Sequence, residues 1–128
     1  MTRRSALLVS ALAVGALAAC GGGGSDDAAG AAVTAEGPPD GQTVTVVGNA
    51  SLKYEPAVVN ARPGTLTLTL GNEGGTPHDL AFEDTAFEAI PTVGADQEKS
   101  ATYTFSSAGA YDFVCTLHPG MDGKVVVS

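Results

Sequence analysis

The sequence predicts an all-β domain arranged as an antiparallel sandwich or barrel, and three observations support that fold class. Several short segments alternate between apolar and polar residues, the period with which a strand presents one face to a core. Glycine, proline and serine cluster between these segments, as they do in turns. No later segment has a strong helical period, and short strands at this spacing are typical of sandwiches and barrels.

Strands are predicted where alternation or β-branched residues are densest. Residues 65–70 alternate without interruption, so three leucines share one face and three threonines share the other. In chain order the predicted strands are 43–47, 58–59, 65–70, 80–82, 101–105, 111–115 and 123–127. The long link at residues 84–98 is predicted to be irregular, with room for a short helical turn.

The start of the chain differs from the rest. Two arginines precede an apolar run over residues 6–19, which is shorter than the roughly 20 residues of a membrane-spanning helix. This order predicts an export signal over residues 1–19. The sequence LAAC at residues 17–20 resembles a bacterial lipobox, which implies cleavage before Cys20 and lipid attachment to its thiol. The alternatives are an ordinary signal peptide with an incidental cysteine and a short buried helix.

Residues 20–40 are rich in glycine, alanine, serine and acidic residues, a composition that buries too little apolar surface to fold alone. They are predicted to be a flexible linker between the lipid on Cys20 and a folded domain at residues 41–128. The predicted location is therefore the exported side of a membrane, periplasmic or extracellular, with the lipid as anchor.

The predicted mature chain is strongly acidic. The net charge of the whole chain is −8, and removing Arg3 and Arg4 with the signal leaves about −10. Such a charge argues against nucleic acid as a partner. The negative charge permits electrostatic attraction to a basic protein partner, although a role in solubility alone explains the charge equally well.

The cysteine content raises a chemical question. If Cys20 carries lipid, Cys115 has no partner within the molecule, and exported proteins meet an oxidising environment. Cys115 is therefore either buried and inert or protected by a metal bond. Tyr111 and Phe113 share its face of the predicted strand, which directs the sulfur towards the core or its rim.

Cys115 opens the stretch CTLHPGM, which also contains His118 and Met121. Three extended residues span roughly 10 Å, so these side chains can meet at one ion only if the loop folds back. Pro119 and Gly120 provide the restricted and the permissive backbone of a tight turn. The sequence contains one other histidine, His78, located 37 residues before Cys115.

Two histidines, a cysteine thiolate and a weak axial methionine form a blue-copper electron-transfer centre. The thiolate stabilises Cu(I), imidazole suits both oxidation states, and the neutral thioether favours the reduced state. Zinc is less suited to the set because thioether is a poor zinc ligand. Enzymes with several copper sites would need more histidines than the two in this chain.

Two long stretches resemble the cupredoxin family. Residues 109–127, GAYDFVCTLHPGMDGKVVV, are similar to its last strands and ligand loop, and the Cys-x₂-His-x₂-Met spacing is the short, amicyanin-like form. Residues 54–80 resemble the family's earlier strands, which lead to the first histidine. The resemblance implies a Greek-key β-sandwich of about seven to eight strands. It also implies one copper ion, and the implied ligands are His78, Cys115, His118 and Met121.

The resemblance further implies that His118 reaches solvent through an apolar patch where electrons pass to docked partners, with contributions from Pro77, Leu117 and Pro119. One position departs from the family, which commonly has asparagine where this chain has Asp79. Asp79 is predicted to accept a hydrogen bond from the hydroxyl or backbone N–H of Thr116. Its charge is predicted to favour Cu(II) and lower the reduction potential.

The sequence thus predicts a monomeric, lipid-anchored type 1 copper protein that carries single electrons between a donor and an acceptor protein and is not an enzyme. The main alternative is a copper-binding protein for copper delivery or storage. A metal-free interaction domain of the same fold is a weaker alternative, since the ligand set is complete.

Overall fold

The computed structural model describes residues 31–128, which form ten β-strands in two sheets. The predicted export signal at residues 1–19, the lipid site at Cys20 and the first part of the predicted linker lie outside the described residues. Within residues 31–128, no helix has the length and apolar character needed to cross a bilayer.

The strands follow the alternation of the sequence closely. They are β1 (Val33–Thr34), β2 (Gln42–Asn49), β3 (Tyr54–Glu55), β4 (Val58–Ala61), β5 (Gly64–Glu73), β6 (His78–Phe82), β7 (Ile90–Val93), β8 (Glu98–Phe105), β9 (Gly109–Val114) and β10 (Asp122–Val127). Eight of them have four residues or more, and β1 and β3 have two residues each.

The two sheets pack as a sandwich with Greek-key crossings between them. One sheet has the order β1-β4-β10-β9-β6-β7 and the other has the order β3-β2-β5-β8. The sequence predicted an antiparallel arrangement, and three pairings depart from it: β4 is parallel to both β1 and β10, and β2 is parallel to β5. Parallel neighbours arise where the chain crosses to the other sheet and returns in the same direction. The alternation of side chains does not report strand direction.

The leucine face of β5 is buried in the core, and the predicted separation of leucines from threonines is confirmed. Leu66, Leu68 and Leu70 are fully buried, whereas Thr67 and Thr69 on the opposite face hydrogen-bond to hydroxyls of β8. An aromatic cluster fills the rest of the interior between the sheets. Its members are Tyr54, Phe82, Phe87, Tyr103, Phe105, Tyr111 and Phe113, whose neighbouring rings pack mostly edge to face.

Two segments differ from the expectation. Residues 33–36, assigned to the linker by composition, join the sandwich: β1 pairs with β4, and Ala35 is buried. The link at residues 84–98 contains β7 rather than a helical turn, and a turn at Asp84 leads into it. Both segments are short, so their local sequence carries little periodic signal and their pairing depends on distant strands.

At the end of the larger sheet where β6 begins, the regular strand pairing stops, and this end is called the open end. Strands β6 and β9 pair at Ala81–Val114 and Phe82–Phe113, and a register irregularity between His78 and Leu80 interrupts the pairing of β6 with β7. Such irregularities change the direction of a side chain and are common beside functional sites. Here the irregularity lies at the predicted first histidine ligand.

The assignment of faces predicts that substitutions at neighbouring positions of β5 lower the free energy of unfolding by different amounts. Leu68→Ala should lower the free energy of unfolding by about 2–5 kcal/mol, because it leaves a cavity between the sheets. The matched control Thr67→Ala, on the outer face, should cost less than about 1 kcal/mol. Urea titration followed by circular dichroism measures both. Equal losses would contradict the assignment of faces.

Candidate metal centre

Three predicted ligands meet at the open end of the larger sheet. The side-chain donor atoms of His78, Cys115 and His118 all lie within 4.8 Å of one another. His78 begins β6, whereas Cys115 and His118 lie on the loop between β9 and β10. Metal bonds to nitrogen and sulfur are about 2.0–2.3 Å long, so small side-chain movements would bring all three onto one ion.

The loop from Cys115 to Met121 folds back tightly, as shared coordination requires. The Cys115 N–H donates to the carbonyl of Met121 at 2.9 Å, and the Met121 N–H donates to the carbonyl of His118 at 3.2 Å. Gly120 has φ of +84°, a left-handed conformation that glycine adopts without strain. The side chains of Cys115 and Met121 are both buried, so the fourth predicted ligand also faces the interior.

His78 is fully buried, and its two ring nitrogens have different surroundings. Nε2 lies 3.1 Å from the carbonyl oxygen of Asn49, whereas Nδ1 is buried without a hydrogen-bond partner among residues 31–128. Burial, and secondarily the nearby His118, lowers the pKa of His78 below its usual value, so the ring stays neutral at neutral pH. An unpartnered buried nitrogen is costly, and a metal ion at this position would satisfy it.

The position of the His78 ring depends on a glycine in the other sheet. A Cβ atom added to Gly48 of β2 would lie 2.5 Å from Cδ2 and 2.8 Å from Cγ of the ring. Gly48 is itself buried. The imidazole therefore packs directly on the backbone of β2, in a space that any side chain at this position would fill.

His118 lies at the surface side of the site. Its ring centroid is 5.2 Å from that of His78, and its Nε2 lies 3.0 Å from the carbonyl oxygen of Pro77. Pro77 and Pro119 are exposed, and Leu117 is 45% exposed, an unusual value for a leucine. All three lie next to the half-buried ring of His118: Nε2 of His118 neighbours the carbonyl of Pro77, and Leu117 and Pro119 flank His118 in sequence.

Asp79 connects the strand of His78 to the cysteine loop. Its carboxylate accepts the backbone N–H of Thr116 at 2.7 Å and also accepts the Thr116 hydroxyl. These are the two donors expected for Asp79 from the sequence. The carbonyl of Asp79 accepts the hydroxyl of the buried Tyr54 at 2.5 Å. Burial, and secondarily the proximity of Cys115 and Asp79, raises the pKa of Tyr54, so this hydroxyl stays protonated as a donor.

Comparison with known proteins identifies the family. A model described as a cupredoxin-like domain matches residues 10–127. The chain belongs to the cupredoxin family.

This cupredoxin is similar to an amicyanin and to a plastocyanin. Amicyanin of Paracoccus denitrificans is 38% identical over 84 residues, which cover 64% of this chain and 63% of that protein. The chloroplastic plastocyanin of Tetradesmus obliquus is 34% identical over 90 residues, covering 60% and 59% respectively. A reduced Cu(I) form of an amicyanin variant matches the structure with a TM-score of 0.56 at 33% identity, covering 67% of this chain and 82% of that one. The chain thus spans a little under two thirds of the length of these curated relatives.

Sequence reasoning did not find three residues that shape the site of this cupredoxin. They are Gly48, Asn49 and Tyr54, which pack on His78, hydrogen-bond to it, or hydrogen-bond to its neighbour Asp79. A glycine inside a strand pattern is a signal of close approach, and Gly48 carried that signal. The partner of each residue lies 25 or more positions away in sequence, so local patterns do not identify it.

The packing of His78 on Gly48 predicts that a side chain at position 48 lowers the stability of the protein. Gly48→Ala should destabilise the metal-free protein by about 1–3 kcal/mol, because the new methyl group overlaps the ring and forces it to move. Gly75→Ala is the matched control, since a Cβ at Gly75 meets nothing within 4 Å. Urea titration of both variants measures the difference. A Gly48→Ala protein as stable as the control would show that the ring has room to move.

Proposed function

We propose that this cupredoxin binds one copper ion and carries single electrons between redox proteins. His78, Cys115 and His118 would hold the ion, with Met121 as a weak axial ligand. The observation that carries the proposal is the unpartnered Nδ1 of His78, buried beside a cysteine and a second imidazole with donor atoms within 4.8 Å. When bound, copper supplies a one-electron Cu(I)/Cu(II) couple. The similarity to amicyanin and plastocyanin supports an electron carrier rather than an enzyme.

The rigidity of the donor set suits electron transfer. His78 is fixed between the backbone of β2 and the carbonyl of Asn49, and Cys115 is fixed by its hydrogen bond to Met121. A site that holds nearly the same geometry for both oxidation states requires little rearrangement when an electron arrives or leaves. The packed sandwich supplies this rigidity, because close-packed interiors resist displacement.

The patch around His118 is the proposed route for electrons. Pro77, Leu117 and Pro119 surround the more exposed of the two imidazoles and offer an apolar, uncharged surface. A partner docked there would approach the metal through one histidine ring. The excess of acidic residues elsewhere is compatible with a donor or acceptor of basic surface, brought in by long-range attraction.

Export and anchoring form a separate part of the proposal. The basic, apolar and small segments of residues 1–19 support export, and the sequence before Cys20 supports lipid attachment to its thiol. The domain would then act as a monomer, held to the membrane by its linker. Metabolic labelling with a fatty acid tests the anchor, and Cys20→Ala should abolish the label if the proposal is right.

Addition of Cu(II) to the purified protein should produce an intense visible thiolate-to-copper band and a narrow copper hyperfine splitting in the EPR spectrum. Cys115→Ser should abolish the colour. Leu117→Ala is the matched control on the same loop: it should keep the colour, because its exposed side chain lies outside the donor set. A colourless Cu(II) complex of the unsubstituted protein would overturn the copper-site proposal.

The same preparation separates electron transfer from copper delivery or storage. The Cu(I)-loaded protein is mixed with a soluble Cu(I) chelator of moderate affinity and then reoxidised. A carrier of electrons should retain its copper through repeated oxidation and reduction. Rapid loss of the metal to the chelator would favour the delivery alternative.

Asp79 is expected to tune the reduction potential. Asp79→Asn removes a negative charge near the copper site, so the potential should rise by something on the order of tens of millivolts. The amide oxygen of asparagine can still accept the Thr116 N–H, which preserves the fold of the loop. Glu83→Gln, which removes an exposed charge just after the other end of β6, is the control. Voltammetry that finds no change for Asp79→Asn would refute the charge effect.

A further inference from the structure

A tight turn follows β2 and is organised by the side chain of Asn49. Its Oδ1 accepts the backbone N–H of Ser51 at 3.0 Å and that of Lys53 at 3.1 Å. The backbone N–H of Asn49 donates to the carbonyl of Lys53 at 3.0 Å. Asparagine side chains stabilise turns in this way because they replace a backbone acceptor.

The turn also contains a residue in an unfavourable conformation. Leu52 has φ of +59°, in the left-handed region that residues with a bulky side chain rarely adopt. Its side chain is 40% exposed, so burial does not explain the conformation. Backbone conformations of this kind persist where surrounding contacts fix them, and they are frequent near functional sites.

The turn and the candidate metal centre share one atom. The carbonyl oxygen of Asn49 accepts the N–H of Leu52 at 3.1 Å and lies 3.1 Å from Nε2 of His78. The direction of this carbonyl is therefore set by the turn that the Asn49 side chain organises. Since His78 is buried against Gly48, the ring cannot follow the carbonyl if the turn relaxes.

We propose that Asn49 is a positioning residue, whose side chain orders the turn so that its own carbonyl accepts the Nε2–H of His78 and leaves Nδ1 free for the metal. The inference rests on the proposed function only for the identity of the metal. It assigns the Nε2–H tautomer to His78 before any metal binds. Nε2 of His118 also neighbours a backbone carbonyl, that of Pro77, but the ring of His118 is only half-buried.

The first measurement uses the metal-free, ¹⁵N-labelled protein. Long-range ¹H–¹⁵N correlation spectra above pH 7.5 distinguish the two neutral tautomers of a histidine ring. His78 should have its proton on Nε2, and this proton should exchange with water slowly because the ring is buried. A proton on Nδ1 of His78 in the unsubstituted protein would overturn the inference, whatever the behaviour of the variants.

The second measurement compares variants at the turn. Asn49→Ala removes the Oδ1 acceptor, so His78 should show a mixture of tautomers and faster exchange of its ring proton. Copper affinity, measured by competition with a chelator, should fall by about tenfold, the lower end of the loss found when groups that orient metal ligands are removed. Asn49→Asp keeps an acceptor at the same position and should restore the tautomer.

Ser51→Ala is the matched control, because Ser51 contributes its backbone N–H to the turn. Its spectra and copper affinity should equal those of the unsubstituted protein. If Asn49→Ala folds and keeps a pure Nε2–H tautomer with native affinity, the side chain has no positioning role. Failure of every variant and of the parent to bind copper would instead contradict the proposed function, while the tautomer measurement would still decide the role of Asn49.

Discussion

The contact between Asp79 and Thr116 joins the two parts of the chain that form the candidate metal centre. Strands β6 and β9 are paired by their backbones at Ala81–Val114 and Phe82–Phe113. Extending that register by two residues places Asp79 opposite Thr116, where the carboxylate accepts the Thr116 N–H. At this position a side chain, rather than a backbone carbonyl, accepts the hydrogen bond that links the two strands.

The centre consequently has a fixed side and an accessible side. The fixed side consists of His78, packed on β2 and hydrogen-bonded to Asn49, and of Cys115 at the end of an inward-facing strand. The accessible side is His118 with its apolar surroundings. An electron carrier needs both properties, because the metal geometry must stay constant while a partner approaches closely. Four donors on one mobile loop would satisfy the second need and fail the first.

The sequence predicted the parts of this structure that depend on local pattern. The alternation at residues 65–70 determines which side chains face the core, and the spacing of Cys115, His118 and Met121 determines that the loop must fold back. The parallel pairing of β2 with β5 could not be predicted, because a strand has the same periodicity in either direction. The contact between Asn49 and His78 could not be predicted either. An asparagine before a turn is common, and the ring that its carbonyl contacts lies 29 residues away in sequence.

The presence of an acid at position 79 follows from the donors that face it. Thr116 presents both a backbone N–H and a hydroxyl to this side chain, and a carboxylate accepts two hydrogen bonds through two oxygens. An amide offers one oxygen, so the Thr116 hydroxyl would have to turn and accept from the amide nitrogen. The two donors also offset part of the carboxylate charge. Asp79 is half-buried, and water screens much of what remains. The carboxylate therefore serves first as a connection between strands, and its electrostatic influence on the copper site is a secondary consequence of that role.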